Sequence, residues 1–304
     1  MIYDCFVFFN EIDLLKIRLS LYYKIVDYFV ICECSKTQRN EVKPFYFEDN
    51  KHLFSKFLNK IIYVKADKPP LSYDSNNKLE WVIENYQRNA IAEGLKNCKK
   101  DDLIFISDLD EFWNPAILTN QTNFYVDKFQ NMGYGRKYKL QQSLKLGLKN
   151  PFLLFSRNLK TFLKSTPIVL DQDFFYYFIN YKRNERWHGT IMLTYKNIQS
   201  IQKLRDQRNL FPVVHNNSIP CGWHFSYLGG KQKIKEKLKA IVEGGQCKAD
   251  NLDEWIDFCL ANRVDLYNRS KIDIDVASIN SLQLPILDYI KTNYPQFIYT
   301  RELD

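Results

Sequence analysis

Leu103-Ile104-Phe105-Ile106-Ser107-Asp108-Leu109-Asp110-Glu111-Phe112 is the stretch on which the reading of the whole chain turns. Four consecutive apolar residues read as a buried strand. Two carboxylates separated by one residue follow it, so both stand at the strand's carboxyl edge, where open α/β sheets bind their ligands. Asp108, Asp110 and Glu111 lie within four residues and repel one another unless a cation or hydrogen bonds offset the charge. Oxygen donors with open coordination positions suit Mg²⁺ or Mn²⁺, which also hold diphosphates. A solvated acidic turn capping a helix that starts near Pro115 is the competing reading.

Working outward, Cys5 to Phe9 is a continuous apolar run, as are Tyr28 to Cys32 and Ile61 to Val64. Runs of this kind become strands buried on both faces. Leu14, Leu15, Ile17, Arg18, Leu21 and Tyr22 follow helical spacing, and Leu79 to Leu95 reads as a second helix. Alternation of this kind predicts an α/β fold: a mostly parallel central sheet with helices on both faces. After Trp113 the pattern loosens. Phe174 to Ile179 reads as a strand of a smaller mixed sheet, while Lys231 to Val242 and Leu282 to Thr292 read as helices, Pro285 falling in the first turn of the latter. No flexible linker interrupts the chain, which predicts one domain over residues 1–304.

The 304 residues are 45% hydrophobic and 15% aromatic, enough for a large core, with few Gly or Pro and no low-complexity tract or repeat. Disordered and fibrous classes are excluded. Forty-three basic residues face thirty-five acidic ones, a formal charge of +8 that reads as spread thinly along the chain. Nucleic acid, an anionic membrane and a nucleotide diphosphate all fit such a surplus, as does a surface kept soluble by lysine. No basic and aromatic module points to nucleic acid, which is not expected as a partner. The seven cysteines are odd in number, and Cys32 and Cys34 have no second pair at zinc spacing, so a reduced protein is expected. No basic n-region opens the chain, and no apolar run nears the roughly 20 residues that span a bilayer. The expectation is a cytoplasmic protein, soluble or peripheral, without a transmembrane segment.

Two further segments carry chemistry. Trp81, Glu84, Asn85 and Arg88 share a helical face with Gln87 beside them. They form either a surface ion pair or a covered face beneath the Asp108–Glu111 site. In Gly222-Trp223-His224-Phe225-Ser226-Tyr227-Leu228-Gly229-Gly230, a histidine lies among aromatics and glycines, the latter permitting close backbone approach to a ligand. It reads as a ligand or as a packing residue.

In their order, the opening Tyr3 to Leu19 continuing to Val30, then Trp81, Glu84, Gln87 and Arg88 leading to Ser107-Asp108-Leu109-Asp110-Glu111, and finally Gly222 to Tyr227 resemble glycosyltransferase family 17. The resemblance runs from the first residue to about residue 240, with an echo from Leu284 to Phe297. It implies a GT-A fold and an inverting transfer of a sugar, N-acetylglucosamine above all, from a UDP-sugar to a glycan or other hydroxyl acceptor. Asp108 and Asp110 match the family's metal motif, and His224 is the candidate for completing the shell of Mn²⁺ or Mg²⁺. Residues 1–113 would bind the nucleotide sugar, 114–245 would face the acceptor, and 246–304 would form a C-terminal helical extension. Asn10, Glu11 and Glu33 follow strands and would line the donor crevice with Glu84, Arg88 and Asp108. Glu185, Asp171, Asp173 and Glu243 are the candidates for the base that takes the acceptor proton. After the Lys231–Lys239 helix, where the family carries a histidine and a glutamate, this chain has Ala240-Ile241-Val242-Glu243-Gly244-Gly245. The family's membrane anchor is absent as well, so an acceptor in the secretory pathway is not expected. Lys231, Lys233, Lys235, Lys237 and Lys239 read as a solvated helix face or as contacts to a diphosphate or acidic glycan. A metal-dependent nucleotidyltransferase or nucleotide-sugar hydrolase remains open, as does a glycan-binding protein without catalysis.

Overall fold

The structure is a computed structural model, which describes residues 1–70, 79–119, 123–127, 144–148, 150–247, 249–269 and 272–300. Its first four strands are β1 (Ile2–Phe8), β2 (Tyr28–Cys34), β3 (Ile61–Ala66) and β4 (Leu103–Asp108). They lie side by side in the order β3-β2-β1-β4, and every pairing is parallel. α1 (Ile12–Tyr22) connects the first two, and α2 (Leu79–Ala90) precedes β4. Alternation along β1 assigns the faces. Phe6 and Phe8 pack with Leu15 and Tyr22 of α1, whereas Tyr3 and Cys5 pack with Ile83 of α2 and with Ile91 and Leu95 beyond it. Helices therefore cover both faces.

The sheet continues past β4 with a change of character. β10 (Ile191–Thr194) runs antiparallel to β4, and β7 (Ile168–Leu170) antiparallel to β10. β11 (Val213–His215) is parallel to β7, and β6 (Tyr125–Asp127) closes the edge antiparallel to β11. Of the mostly parallel sheet expected, β3 to β4 are parallel throughout, and beyond β4 only the β7–β11 pairing is parallel among its described strands. A second, mixed sheet of five strands has the order β13-β9-β8-β12-β5. It contains β5 (Glu111–Trp113), β8 (Gln172–Tyr176), β9 (Tyr181–Trp187), β12 (Gly222–Ser226) and β13 (Ile274–Val276). β13 comes from the C-terminal segment, which is therefore not wholly helical.

Two local expectations shift. The strand expected to run to Ile179 ends at Tyr176, because Tyr177 takes a left-handed φ of 67°. The last long helix spans Leu287–Asn293, so Pro285 precedes it. Leu282 ends a 3-10 turn, Ile279–Leu282, and Gln283 takes a left-handed φ of 49°, which breaks the helix before the proline.

One buried cation ties sheet, helix and site loop together. Arg18 of α1 donates from Nε and Nη2 to both oxygens of Asp4 in β1, at 2.8 and 2.7 Å. Nη2 also reaches Ser107 Oγ at 2.6 Å. Nη1 donates to the backbone carbonyls of Asp108, Leu109 and Glu111 at 3.0, 3.0 and 2.9 Å. A guanidinium offers five N–H donors in one plane, and here all three nitrogens are engaged. Trp113 Nε1 donates to Asp4 at 3.1 Å, completing the carboxylate's shell.

Removing one partner of a buried ion pair typically costs about 3–5 kcal/mol, since the other charge is left uncompensated. Arg18→Met is expected to lower stability by that amount in urea unfolding. Asp4→Asn combined with Arg18→Met should recover about 1–3 kcal/mol of the summed single losses. Strict additivity of the two substitutions would show that the pair is not coupled.

Candidate functional site

The strand order reverses between β1 and β4, which both end at one edge, with Val7 opposite Asp108. A crevice at such a switch point is the usual ligand position in α/β sheets. Here a cavity of about 690 Å³ opens, lined by Val7, Phe8, Phe9, Asp108, Leu109 and Asp110. Phe174, Tyr176, Trp187 and Tyr227 line it as well, and so do His224, Lys237 and Glu243. Gln87 of α2 secures the edge by donating to the carbonyls of Phe8 and Cys32 at 3.2 and 3.1 Å.

Asp108 closes the first sheet, Glu111 opens the second, and Asp110 lies in the two-residue turn between them. Glu111 is fully buried; its carboxylate accepts from Asp108 N at 3.0 Å and Trp187 Nε1 at 2.8 Å. It also takes Arg205 in a bidentate pair at 2.8 and 3.0 Å. Gly189 leaves room for it: a β-carbon there would lie 2.1 Å from Glu111 Oε1. Asp108 accepts from Arg205 Nη2 at 2.7 Å and from Arg88 Nη2 at 3.2 and 3.3 Å. Burial works against its charge, yet Arg205 and Arg88 outweigh it and hold the carboxyl below its usual range. Arg205 lies in α3 (Ile201–Asp206), where no sequence pattern marked it out.

Asp110 has different partners. Lys237 of α4 (Gly230–Ala240) donates to Oδ2 at 2.7 Å, and His224 Nε2 stands 3.5 Å from Oδ1. Burial again opposes ionisation, but Lys237 and His224 keep Asp110 well below the ordinary carboxylate range. The His224 ring is clamped by Phe174, stacked at 4.5 Å and 14°, and by Trp187 at 4.5 Å. The lysines of α4 divide: Lys239 is exposed and Lys231 and Lys233 are partly so, as a solvated face would be. Lys237 enters the cavity, while Lys231 and Lys235 pair with Asp257 and Asp253 of α5 (Leu252–Asn262) at 2.6 and 2.7 Å.

Among the described residues, no three His, Cys, Asp or Glu side chains converge to hold a metal ion. Asp108 has both oxygens taken by guanidinium groups. Asp110 and His224 are the remaining pair, and 3.5 Å is close to the spacing of two neighbouring ligands on one cation with bonds of roughly 2.0–2.2 Å.

The other expected site residues divide. Glu11, Glu84 and Arg88 line the cavity. Glu33 does not reach it: fully buried, it accepts from Lys43 Nζ, Tyr63 Oη and the amides of Tyr46 and Phe47 at 2.7–3.0 Å. It therefore caps the short helix Tyr46–Asp49 instead of meeting a ligand. The Asn10 amide turns to Glu236 of α4 at 2.8 Å. On α2 the stripe is covered at Glu84 and open at Trp81, which is 38% exposed. Among the candidate bases, Asp171 accepts from Arg186, His188 and His215, and Asp173 pairs with Arg186 and Lys182. Neither lines the cavity. Glu185 lines it but is paired with Arg183. Glu243 lines it and, among the described residues, has no hydrogen bond or ion pair.

Glu84 pairs with Arg88 at 2.6 Å through one oxygen, while the other is buried without a partner. Burial first, then Asp108 and Glu243, push its carboxyl up to about 7, against the pull of Arg88. An unfolded glutamate titrates near 4.3, so between about 4 and 7 the folded protein keeps a proton that the unfolded chain loses. Stability must then fall as pH rises through that window, and the loss is absent below it. Glu84→Gln should gain on the wild type by about 1–3 kcal/mol between about pH 5 and about pH 8 in metal-free urea unfolding. A difference that does not vary with pH would mean that Glu84 is ionised throughout.

Comparison with known proteins falls on this same half of the molecule. Residues 1–122 match the family model described as glycosyltransferase family 17. The human beta-1,4-mannosyl-glycoprotein 4-beta-N-acetylglucosaminyltransferase is 30% identical over 108 residues, 34% of this chain and 20% of that protein. The Rattus norvegicus and Mus musculus proteins of the same name are 30% and 29% identical over equal spans. The match thus covers about a fifth of the length of these curated relatives. Through residues 1–122, which carry β1 to β5 and the acidic turn, the chain resembles glycosyltransferase family 17.

Proposed function

We propose that the chain is an inverting glycosyltransferase of the GT-A type, moving N-acetylglucosamine from a UDP donor to a hydroxyl group of a glycan or other acceptor. The observation that carries this reading is the position of the Asp108–Glu111 turn. It lies at the strand-order reversal, on the floor of a cavity, and within the residues that match the family model. The names of the relatives support the sugar, and the volume suits a nucleotide sugar.

Asp110 and His224 would hold Mn²⁺ or Mg²⁺, the remaining positions coming from the donor's phosphates and water, as is usual for such hard cations. When bound, the cation supplies positive charge to the leaving diphosphate. Asp108 takes another part: held from behind by the buried Arg205, it fixes Arg88, which with Lys237 brings positive charge to the cavity lining. Phe174, Tyr176, Trp187 and Tyr227 give the cavity an aromatic wall, in which the partly exposed Trp187 would meet the sugars. Glu243 is the base, supported by its place in the cavity and by the absence of any cation holding it among the described residues. The acceptor oxygen attacks the anomeric carbon opposite the diphosphate, its proton passing to the Glu243 carboxylate. The anomeric carbon–oxygen bond breaks, and its electron pair leaves on the diphosphate.

Calorimetric titration with UDP tests the donor site. Removal of divalent cations, or Asp110→Asn, is expected to weaken UDP binding by at least about tenfold. Unchanged affinity in chelator would overturn the metal and, with it, the role of Asp110. Glu243→Gln should lower turnover by about 10²–10⁴-fold while leaving UDP affinity as it was. Normal turnover in that variant would return the base to Glu185.

A further inference from the structure

Residues 128–170 contain nine Lys and Arg residues and no Asp or Glu. The rest of the chain has 34 basic and 35 acidic residues, so this one stretch carries the entire positive excess. The charge is not spread thinly, as the overall count implied.

The described part of this stretch also exposes four large apolar side chains. Leu144, Leu148, Phe152 and Phe155 are 60%, 87%, 77% and 89% exposed. Leu146 and Leu153, between them, are buried in the core and anchor the segment. Leu144 and Leu148 are four residues apart on one helical turn, and Phe152 and Phe155 three apart on a 3-10 turn, so each pair shares an outward face. Asn150 Nδ2 donates to Ser165 Oγ at 3.2 Å, which joins this segment to the short helix Leu159–Leu163. That helix buries Leu159, Phe162 and Leu163 and leaves Lys160 exposed, with Lys164 exposed just after it. Lys145 is exposed between the two leucines. Arg157, beside Phe155, is held by Asp127.

We infer that this face docks on an anionic lipid bilayer surface. Apolar side chains enter the acyl boundary while flanking lysines meet lipid phosphates, the pattern of interfacial membrane segments. A second copy of the chain is disfavoured as the occupant, because two like-charged faces would meet. Nucleic acid would use the phenylalanines for stacking but has no use for Leu144 and Leu148, which a bilayer takes equally well.

Co-sedimentation of the full chain with vesicles tests the inference. Vesicles of phosphatidylcholine containing phosphatidylglycerol should pull the protein down at low salt, with much less bound at high salt, and pure phosphatidylcholine should not. Phe152→Ser with Phe155→Ser, and separately Lys160→Glu with Lys164→Glu, should each lower the partition coefficient roughly tenfold or more. Melting temperature and UDP binding should stay as in the wild type, since all four side chains point to solvent away from the cavity lining. Equal pelleting with neutral vesicles, undiminished binding of both variants, or tighter binding to a single-stranded oligonucleotide than to the anionic vesicles would each overturn it.

Discussion

The pairing of Arg18 with Asp4 is the constraint on which the site depends. A charge in the middle of a parallel strand is costly to bury, and Asp4 is tolerated only because a guanidinium and an indole meet it. The same guanidinium then turns its remaining donors to the backbone carbonyls of Asp108, Leu109 and Glu111 in the acidic turn. A turn carrying Asp108, Asp110 and Glu111 would otherwise expose its carbonyls as further negative ends of dipoles. Arg18 removes that burden from below and leaves the carboxylates to be balanced from above.

That balancing is done by residues far apart in the chain. Arg88 comes from the helix before β4, Arg205 from the helix beyond β10, and Lys237 from the helix after β12. Arg205 bridges Glu111 and Asp108, Arg88 adds a second cation to Asp108, and Lys237 meets Asp110. Glu84 is the exception: one of its oxygens has no donor, and it carries the raised pKa that follows from burial among other acids. The pairing balances the turn's charge, and Arg88 and Lys237 are the cations in it that also line the cavity.

Much of this was legible beforehand, where one physical effect dominates. Continuous apolar runs forced β1, β2, β3 and β4 to be buried strands, and the acidic residues after Ile106 had to lie at the carboxyl edge. Legibility failed where long-range partners decide. Glu33 follows a strand just as Asp108 does, but Lys43 and two helix-terminal amides claim it, and no local pattern reports that. Alternating lysines in α4 look alike in sequence, yet the helix turns only Lys237 inward, toward Asp110. Pro285 suited a helix start, but the left-handed Gln283 separates a 3-10 turn before it from the helix that begins at Leu287. The clustering of charge between residues 128 and 170 was in plain view and was lost by counting over the whole chain.

Asp108 is the last residue of one sheet and Glu111 the first of the other, with Asp110 on the joint. The chain crosses between the sheets again at Asp171, between Trp187 and Ile191, and between His215 and Gly222. Asp110 itself is tied to the second sheet, its carbonyl accepting from Phe225 N at 2.8 Å. The seam between the sheets and the acidic turn are accordingly one piece of chain, so a substitution that displaces either sheet at this joint also displaces the carboxylates it carries.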